Sequence, residues 1–285
     1  MGTAIGYAYR LVVCLLVLAS GLCCALAASP SKGSDSTSMD TLELYAAYAG
    51  AAYSVTSAWD CDDECAHPGT EGTIVEFYWD RPVITSNGYI ARNPAKRIII
   101  VAFRGTDSPS DWAQDFDGRL DSWPTSVQGS LVVDGFLVGY LVVANQVMRQ
   151  VIYLADRYPD YTIVAVGHSL GGTRASMFVA GFSTEYPDYI SRTQMYTYGQ
   201  SKCGNDVFAR YMDGLDARLY RVINKGDIAP HLPRNSDMFY HFGTEIWITY
   251  DNSTVVCQSN DYSMCSESVP QDQQNVADHS SYPGL

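Results

Sequence analysis

The chain has 285 residues, with 18 Lys and Arg set against 31 Asp and Glu; its formal net charge is -13 and 47% of its side chains are hydrophobic. Sparse, scattered cations exclude a nucleic-acid binder, because phosphate recognition needs clustered Lys and Arg, and the negative charge disfavours adsorption to anionic membranes. Length and hydrophobic content suffice for one large-cored domain.

Arg10 is the only charged side chain ahead of an apolar run over 11–28 that ends in the small-residue site Ala25-Leu26-Ala27. This pattern predicts a cleaved secretory signal over 1–27 and an extracellular product. A signal anchor is the alternative, since about 18 apolar residues border on spanning length. A flexible linker over 28–39 and a single domain over 40–285 follow. Helix formers with apolar residues at helical spacing predict a helix over 40–53, with Asp40 as its N-cap. Short strands are expected at 74–79 and 88–91. The β-branched run RIIIVAF at 97–103 reads as a central strand covered on both faces. The apolar stretch from Phe136 is interrupted by Asn145, Gln146, Arg149 and Gln150, which makes it a core helix to residue 157, not a membrane span. A buried strand at 161–166, a helix rich in small residues at 170–183 and strands at 194–198, 219–223 and 245–250 complete an alternating pattern. That alternation predicts an α/β fold with a mostly parallel sheet and helices on both faces. The tail from Ser266, with Pro270 and Pro283, is expected to lack regular structure.

Of eight cysteines, Cys14, Cys23 and Cys24 fall in the leader. In an oxidising compartment Cys61–Cys65 and Cys257–Cys265 would close two short loops, leaving Cys203 as a buried free thiol. A zinc site from Cys61, Cys65 and His67 lacks a second ligand pair at suitable spacing, so no metal is expected.

Gly167-His168-Ser169-Leu170-Gly171 fits G-x-S-x-G where a buried strand meets a helix. A turn that sharp forces its central residue into a strained backbone and needs glycine two positions either side. It lifts the hydroxyl above the sheet, beside a helix N-terminus that favours negative charge, and aims the Leu170 N–H at a developing oxyanion. An ordinary strand–helix turn is the alternative. A serine nucleophile needs a base, and the base an orienting carboxylate; on this fold they follow the serine in the order acid, then histidine. His231 lies too close behind Asp227 to serve it, and His241, between Tyr240 and Phe242, reads as structural. His279, in a polar loop, is preferred over His241. Asp227, in a rigid loop after a strand end, competes with Asp237 and Asp251. Thr106, in the turn ending the central strand, would supply either a second oxyanion donor or only a strand cap.

These residues resemble the secreted fungal class 3 lipases, most closely the zygomycete-type triacylglycerol lipases. The resemblance runs from about Asp40 to Tyr282 and is carried by WDCDDEC (59–65), VAFRGTDS (101–108), YPDYTIVAVGHSLGG (158–172), KGDIAPHLP (225–233), HFGTEIWIT (241–249), VVCQSNDYSMCS (255–266) and ADHSSY (277–282). It implies an α/β-hydrolase with Ser169 as nucleophile, Asp227 as acid, His279 as base, and Thr106 and Leu170 as the oxyanion hole. It also implies the disulfides Cys61–Cys65 and Cys257–Cys265, structural roles for His168, His231 and His241, and no cofactor. The chain lacks the family's usual third disulfide and stops six residues after His279, so the loop holding the base is expected to be weakly anchored. Gly199 to Asn205 departs from the family's G-x-P-R-x-G-N. The segment 107–116 aligns with the lid, Trp112 matching the lid tryptophan, yet it holds three aspartates. Exposing so little hydrocarbon, at about 25 cal/mol per Å², implies weak interfacial activation.

The resulting expectation is a secreted, monomeric serine hydrolase that cleaves glyceride esters at a lipid–water interface, glycosylated at the sequon Asn252-Ser253-Thr254. A feruloyl-type esterase acting on plant cell-wall esters is the alternative. A serine peptidase and a non-catalytic secreted binding protein are the more distant ones.

Overall fold

The computed structural model describes residues 36–61, 65–81, 86–106, 108, 118–123, 127–234, 238–258 and 262–285. The expected leader, most of the expected linker, Asp237, Trp112 and all of the lid segment except Ser108 lie outside the described residues.

The run Ile98–Phe103 (β3) is buried at every position, as an apolar strand covered on both faces must be. Around it an eight-stranded sheet is ordered β1-β2-β3-β6-β7-β8-β9-β10. Its members, after β1 (Ile74–Trp79) and β2 (Gly88–Asn93), are β6 (Thr162–His168), β7 (Thr193–Tyr198), β8 (Arg218–Asn224), β9 (Thr244–Ile248) and β10 (Thr254–Cys257). The five strands from β3 to β9 pair in parallel, while β1, β2 and β10 add antiparallel margins. Two short strands, β4 (Leu120–Ser122) and β5 (Leu131–Val133), pair separately.

Helix α1 (Met39–Gly50) covers one face through Leu42, Tyr45, Ala46 and Ala49, which pack on Ile100, Val164 and Tyr196. The other face carries α2 (Asp134–Arg157) and α3 (Leu170–Glu185). The alternating pattern therefore predicts the layers correctly, and the chain has the α/β-hydrolase architecture. In α2 the inward stripe Leu137, Tyr140, Val147, Val151 and Leu154 is buried while Asn145 and Arg149 face outward, so this long apolar helix is one wall of the core. In α3 every residue from Leu170 to Ser183 is buried.

Three local expectations are corrected, and two further elements appear. The N-cap of α1 is Ser38, whose hydroxyl accepts from the Thr41 N–H, and Asp40 sits in the first turn, where its charge favours the helix dipole. An amphipathic helix, α4 (Asp206–Asp213), capped by Asn205, and the edge strand β10 were not anticipated; both are too short for a clear periodic signal. The tail is not irregular: it forms 3-10 turns at Ser266–Ser268 and Gln271–Gln273 and a final helical turn, α5 (Val276–His279). Nor is that tail loosely held. Asn224 donates to the carbonyls of Asp278 and Ser281 at 3.0 and 3.1 Å, and the Asp278 carboxylate accepts from the Gly226 N–H at 3.0 Å. Backbone bonds Asn275 N–H to Gly226 C=O and Ile228 N–H to Asn275 C=O zip the two segments together.

Candidate active site

The three side chains singled out by the sequence reach one edge of the sheet. Ser169 follows β6 directly and N-caps α3 at φ 58°, ψ -130°, a conformation that costs a non-glycine residue about 1–3 kcal/mol. The neighbouring glycines show why the turn persists. A Cβ at Gly167 would lie 2.3 Å from the Gly171 backbone, and one at Gly171 would lie 2.1 Å from the Phe103 carbonyl oxygen. Strand end and helix start are thus in backbone contact, and the Ser169 N–H is tied to the Tyr198 carbonyl at 2.8 Å.

Asp227 lies in the loop after β8 and is fully buried. Its two carboxylate oxygens stand 2.9 Å each from His279 Nδ1, and Oδ1 also accepts from the Ala229 N–H at 2.8 Å. The Tyr282 hydroxyl donates to Oδ2 at 2.5 Å. Burial, and then the nearby carboxylate, push the Tyr282 phenol well above its ordinary value, so it remains a donor. A carboxylate bonded this way fixes the imidazole with its Nδ1 as donor and Nε2 turned away from the pair. Among the described residues neither His279 Nε2 nor Ser169 Oγ has a hydrogen-bond partner, although both are buried. Gly199, at φ +61°, lies against the pair: a Cβ there would stand 2.6 Å from Asp227 Oδ2 and 2.7 Å from His279 Nδ1.

His168 supports the imidazole from the elbow side. Its ring lies 4.5 Å from that of His279, its Nε2 is 2.8 Å from the His279 carbonyl oxygen, and its Nδ1 is 2.9 Å from the Tyr53 hydroxyl. A carbonyl only accepts, so Nε2 carries the proton and Nδ1 accepts from Tyr53. Burial, reinforced by the neighbouring His279, lowers the His168 pKa to about 3, keeping this ring neutral.

On the facing side, the turn after β3 runs through Arg104, Gly105 and Thr106. Thr106 is half-buried, and its hydroxyl accepts from the Ser108 N–H at 3.3 Å. The first N–H groups of α3, that of Leu170 among them, have no intrahelical acceptor. A hydroxyl, a carboxylate-backed imidazole and a helix N-terminus together have the parts for acyl transfer without a metal. Among the described residues no group of three or more His, Cys, Asp or Glu could hold an ion.

The other candidates fall elsewhere. His241 Nε2 donates to the Pro230 carbonyl, 2.8 Å away, and burial drives its pKa well below the ordinary value. His231 is lowered to about 4, also by burial. Asp251 is exposed at a turn. Cys61–Cys65 and Cys257–Cys265 are disulfide-bonded, and Cys203 is a buried free thiol whose pKa burial raises to about 12. Asn252 is exposed, at φ 61°, in the turn between β9 and β10. A cleft of about 270 Å³ lined by Asp213, Arg218, Tyr220 and Thr244 opens at the starts of β8 and β9, the opposite end of the sheet from Ser169. Tyr53, Tyr282 and Asn224 are site residues the sequence did not single out. Their partners lie 115, 55 and 54 to 57 positions away, so no local signal marks them.

Fold and site geometry define an α/β-hydrolase with a nucleophile-elbow serine. Residues 100–236 match the family model of the class 3 lipases. The chain is 35% identical over 234 residues to a lipase of Rhizomucor miehei, the match covering 80% of this chain and 63% of that protein; it thus spans somewhat under two thirds of that relative. The crystal structure of a lipase from Rhizopus microsporus var. chinensis superposes with a TM-score of 0.81 at 30% identity, over 86% of this chain and 87% of that one. A triacylglycerol lipase whose catalytic centre is formed by a serine protease triad superposes with a TM-score of 0.81 at 31% identity, covering 88% and 96%. The chain belongs to the class 3 lipase family.

Proposed function

We propose that this chain is a secreted carboxylic ester hydrolase that cleaves glyceride esters through an acyl-enzyme on Ser169. The observation that carries the reading is the buried Asp227–His279 pair, locked at 2.9 Å, with the imidazole's other nitrogen and the hydroxyl of Ser169, on its strained elbow, both buried and unpartnered among the described residues. His279 Nε2 takes the Ser169 proton as Oγ attacks the ester carbon. Asp227 stabilises the resulting imidazolium, and the N–H groups of Leu170 and Thr106 receive the oxyanion. The imidazolium protonates the leaving alcohol, and a water deprotonated by the same nitrogen then releases the acid and frees the serine. The lipase relatives support the substrate class, and the leader pattern with two disulfides supports secretion. The exposed Asn252 sequon is the proposed glycan acceptor.

A more polar ester is the second reading, favoured by the three aspartates of segment 107–116. One panel decides between them: triolein emulsion, a diacylglycerol, a short nitrophenyl ester and methyl ferulate, each run beside Ser169→Ala. The expected result is cleavage of the glycerides and the nitrophenyl ester, with rates falling at least about 10⁴-fold in the variant and no steep rate jump above substrate saturation. Methyl ferulate cleaved in preference to both glycerides would move the assignment to the feruloyl type. An active Ser169→Ala, or a wild type that a fluorophosphonate does not label, would end it.

A further inference from the structure

Helix α3 is buried along its whole course from Leu170 to Ser183, and within that stretch it holds a single charged residue, Arg174. The side chain is 1% exposed. A guanidinium in such a position is costly unless it does something polar there, and the surroundings are shaped to receive it. On α2, Gly139 leaves the necessary space: a Cβ at that position would stand 2.7 Å from Arg174 Nη2 and 3.0 Å from Nε. Nη1 donates to the Arg104 carbonyl at 3.4 Å. The group stays cationic at neutral pH, since burial lowers its pKa only to about 10.

Arg104 opens the turn that presents Thr106. The same turn is confined from two other directions. A Cβ at Gly105 would lie 2.2 Å from the Tyr53 hydroxyl and 2.7 Å from the His168 carbonyl oxygen, and Gly171 presses on Phe103 and Arg104. Arg174 sits five residues along α3 from Ser169, about 7.5 Å of helix axis, so the helix that carries the serine also carries the side chain bonded to the turn.

We propose that Arg174 is a positioning residue for the ester-cleaving reaction: its guanidinium holds the Arg104–Thr106 turn against the head of α3, so that the turn's N–H groups face the oxyanion. This rests on Ser169 being the nucleophile. The turn's position is then set by a side chain from the nucleophile's own helix, and the two halves of the oxyanion site move as one body.

The test uses the full chain with Arg174→Met, Arg174→Lys and Gly139→Ala, assayed on a soluble nitrophenyl ester for kcat and KM separately, with the rate of Ser169 labelling by diethyl nitrophenyl phosphate and the Tm alongside. Arg174→Met is expected to lower kcat and the labelling rate by about thirtyfold or more with KM within threefold, and Arg174→Lys, which restores a buried cation and donor, to recover most of that loss. Gly139→Ala, which leaves the arginine in place but pushes on its guanidinium, should lower kcat several-fold at unchanged KM; it decides the matter if Arg174→Met does not fold. A folded Arg174→Met or Gly139→Ala with wild-type kcat overturns the proposal, as does a kcat loss that lysine does not rescue. A wild type inactive on every ester and unlabelled overturns the hydrolase reading and this inference together, whereas an active wild type with indifferent variants overturns the role of Arg174 alone.

Discussion

Ser169 is held by its immediate neighbours, whereas His279 is held by residues 52 to 111 positions away. At the elbow, Gly167, Gly171 and the strand–helix junction hold the serine's backbone, and little hydrogen bonding is involved beyond the tie to Tyr198. His279 itself, in the helical turn α5, takes no strained backbone. Position there comes from a mesh of hydrogen bonds linking Asp227, Tyr282, Asn224, Asp278 and the neutral His168. One half of the site is built by steric exclusion and the other by polar satisfaction, so the two should fail differently. Steric positions tolerate no added atom; polar ones should degrade bond by bond.

The place where the two meet offers the largest break. Gly199→Ala puts a methyl group within 2.7 Å of both Asp227 and His279, the proposed acid and base, at a positive φ, and a displacement of about 1 Å at a catalytic pair costs on the order of 10²-fold. A kcat within threefold of wild type in the folded variant would refute the crowding. Tyr282→Phe removes one charge-assisted hydrogen bond, worth about 1.5–3 kcal/mol. Denaturant titration should read that loss, with kcat reduced about tenfold because the carboxylate keeps its bonds to His279 and Ala229.

His168 allows the polar half to be probed by pH. Its folded pKa, about 3, lies below the unfolded value near 6.5. Below pH 6.5 the unfolded chain binds a proton the native state refuses, so stability is full above that pH and declines as pH falls toward 3. One such group gives a slope of about 1.4 kcal/mol per pH unit in that window. In His168→Gln, which keeps a donor for the His279 carbonyl but does not titrate, unfolding free energies from urea titration between pH 6.5 and 4 should fall less steeply by that amount; parallel curves would show that His168 is not buried neutral. The smallest effect isolates the steric half. Ser169→Gly should be more stable than Ser169→Ala by about 1 kcal/mol, the relief of a positive φ less the glycine's own entropy. Equal Tm values would mean the elbow carries no strain.

The same division explains what could be read from the sequence. The elbow is legible because its determinants are consecutive: strand, Gly167, Ser169, Gly171, helix. The layers are legible from runs such as Ile98–Phe103, where burial on both faces leaves no polar position. The base and acid were ranked rather than fixed by residue type alone, since His241 and Asp251 offer the same chemistry and only three-dimensional contact separates them from His279 and Asp227. The polar loop around His279 favours it over His241, and the family resemblance strengthens that choice and selects Asp227 among the aspartates. Tyr53, Tyr282 and Arg174 carried no mark, because a tyrosine in a chain with 21 of them, or an arginine in a helix, acquires meaning only from what it faces. The expectation of a loose tail failed for a related reason. It counted missing disulfides and could not see that Asn224 and Asp278 take over the anchoring by hydrogen bonds.

Cys203 adds a practical consequence. A thiol that is 1% exposed, with its pKa raised to about 12, is almost entirely un-ionised at neutral pH and shielded from solvent, so it should ignore disulfide reagents while the loop after β7 stays closed. The loop begins at Gly199, against Asp227 and His279, which makes the rate of Cys203 modification a built-in clock for how often that rim opens.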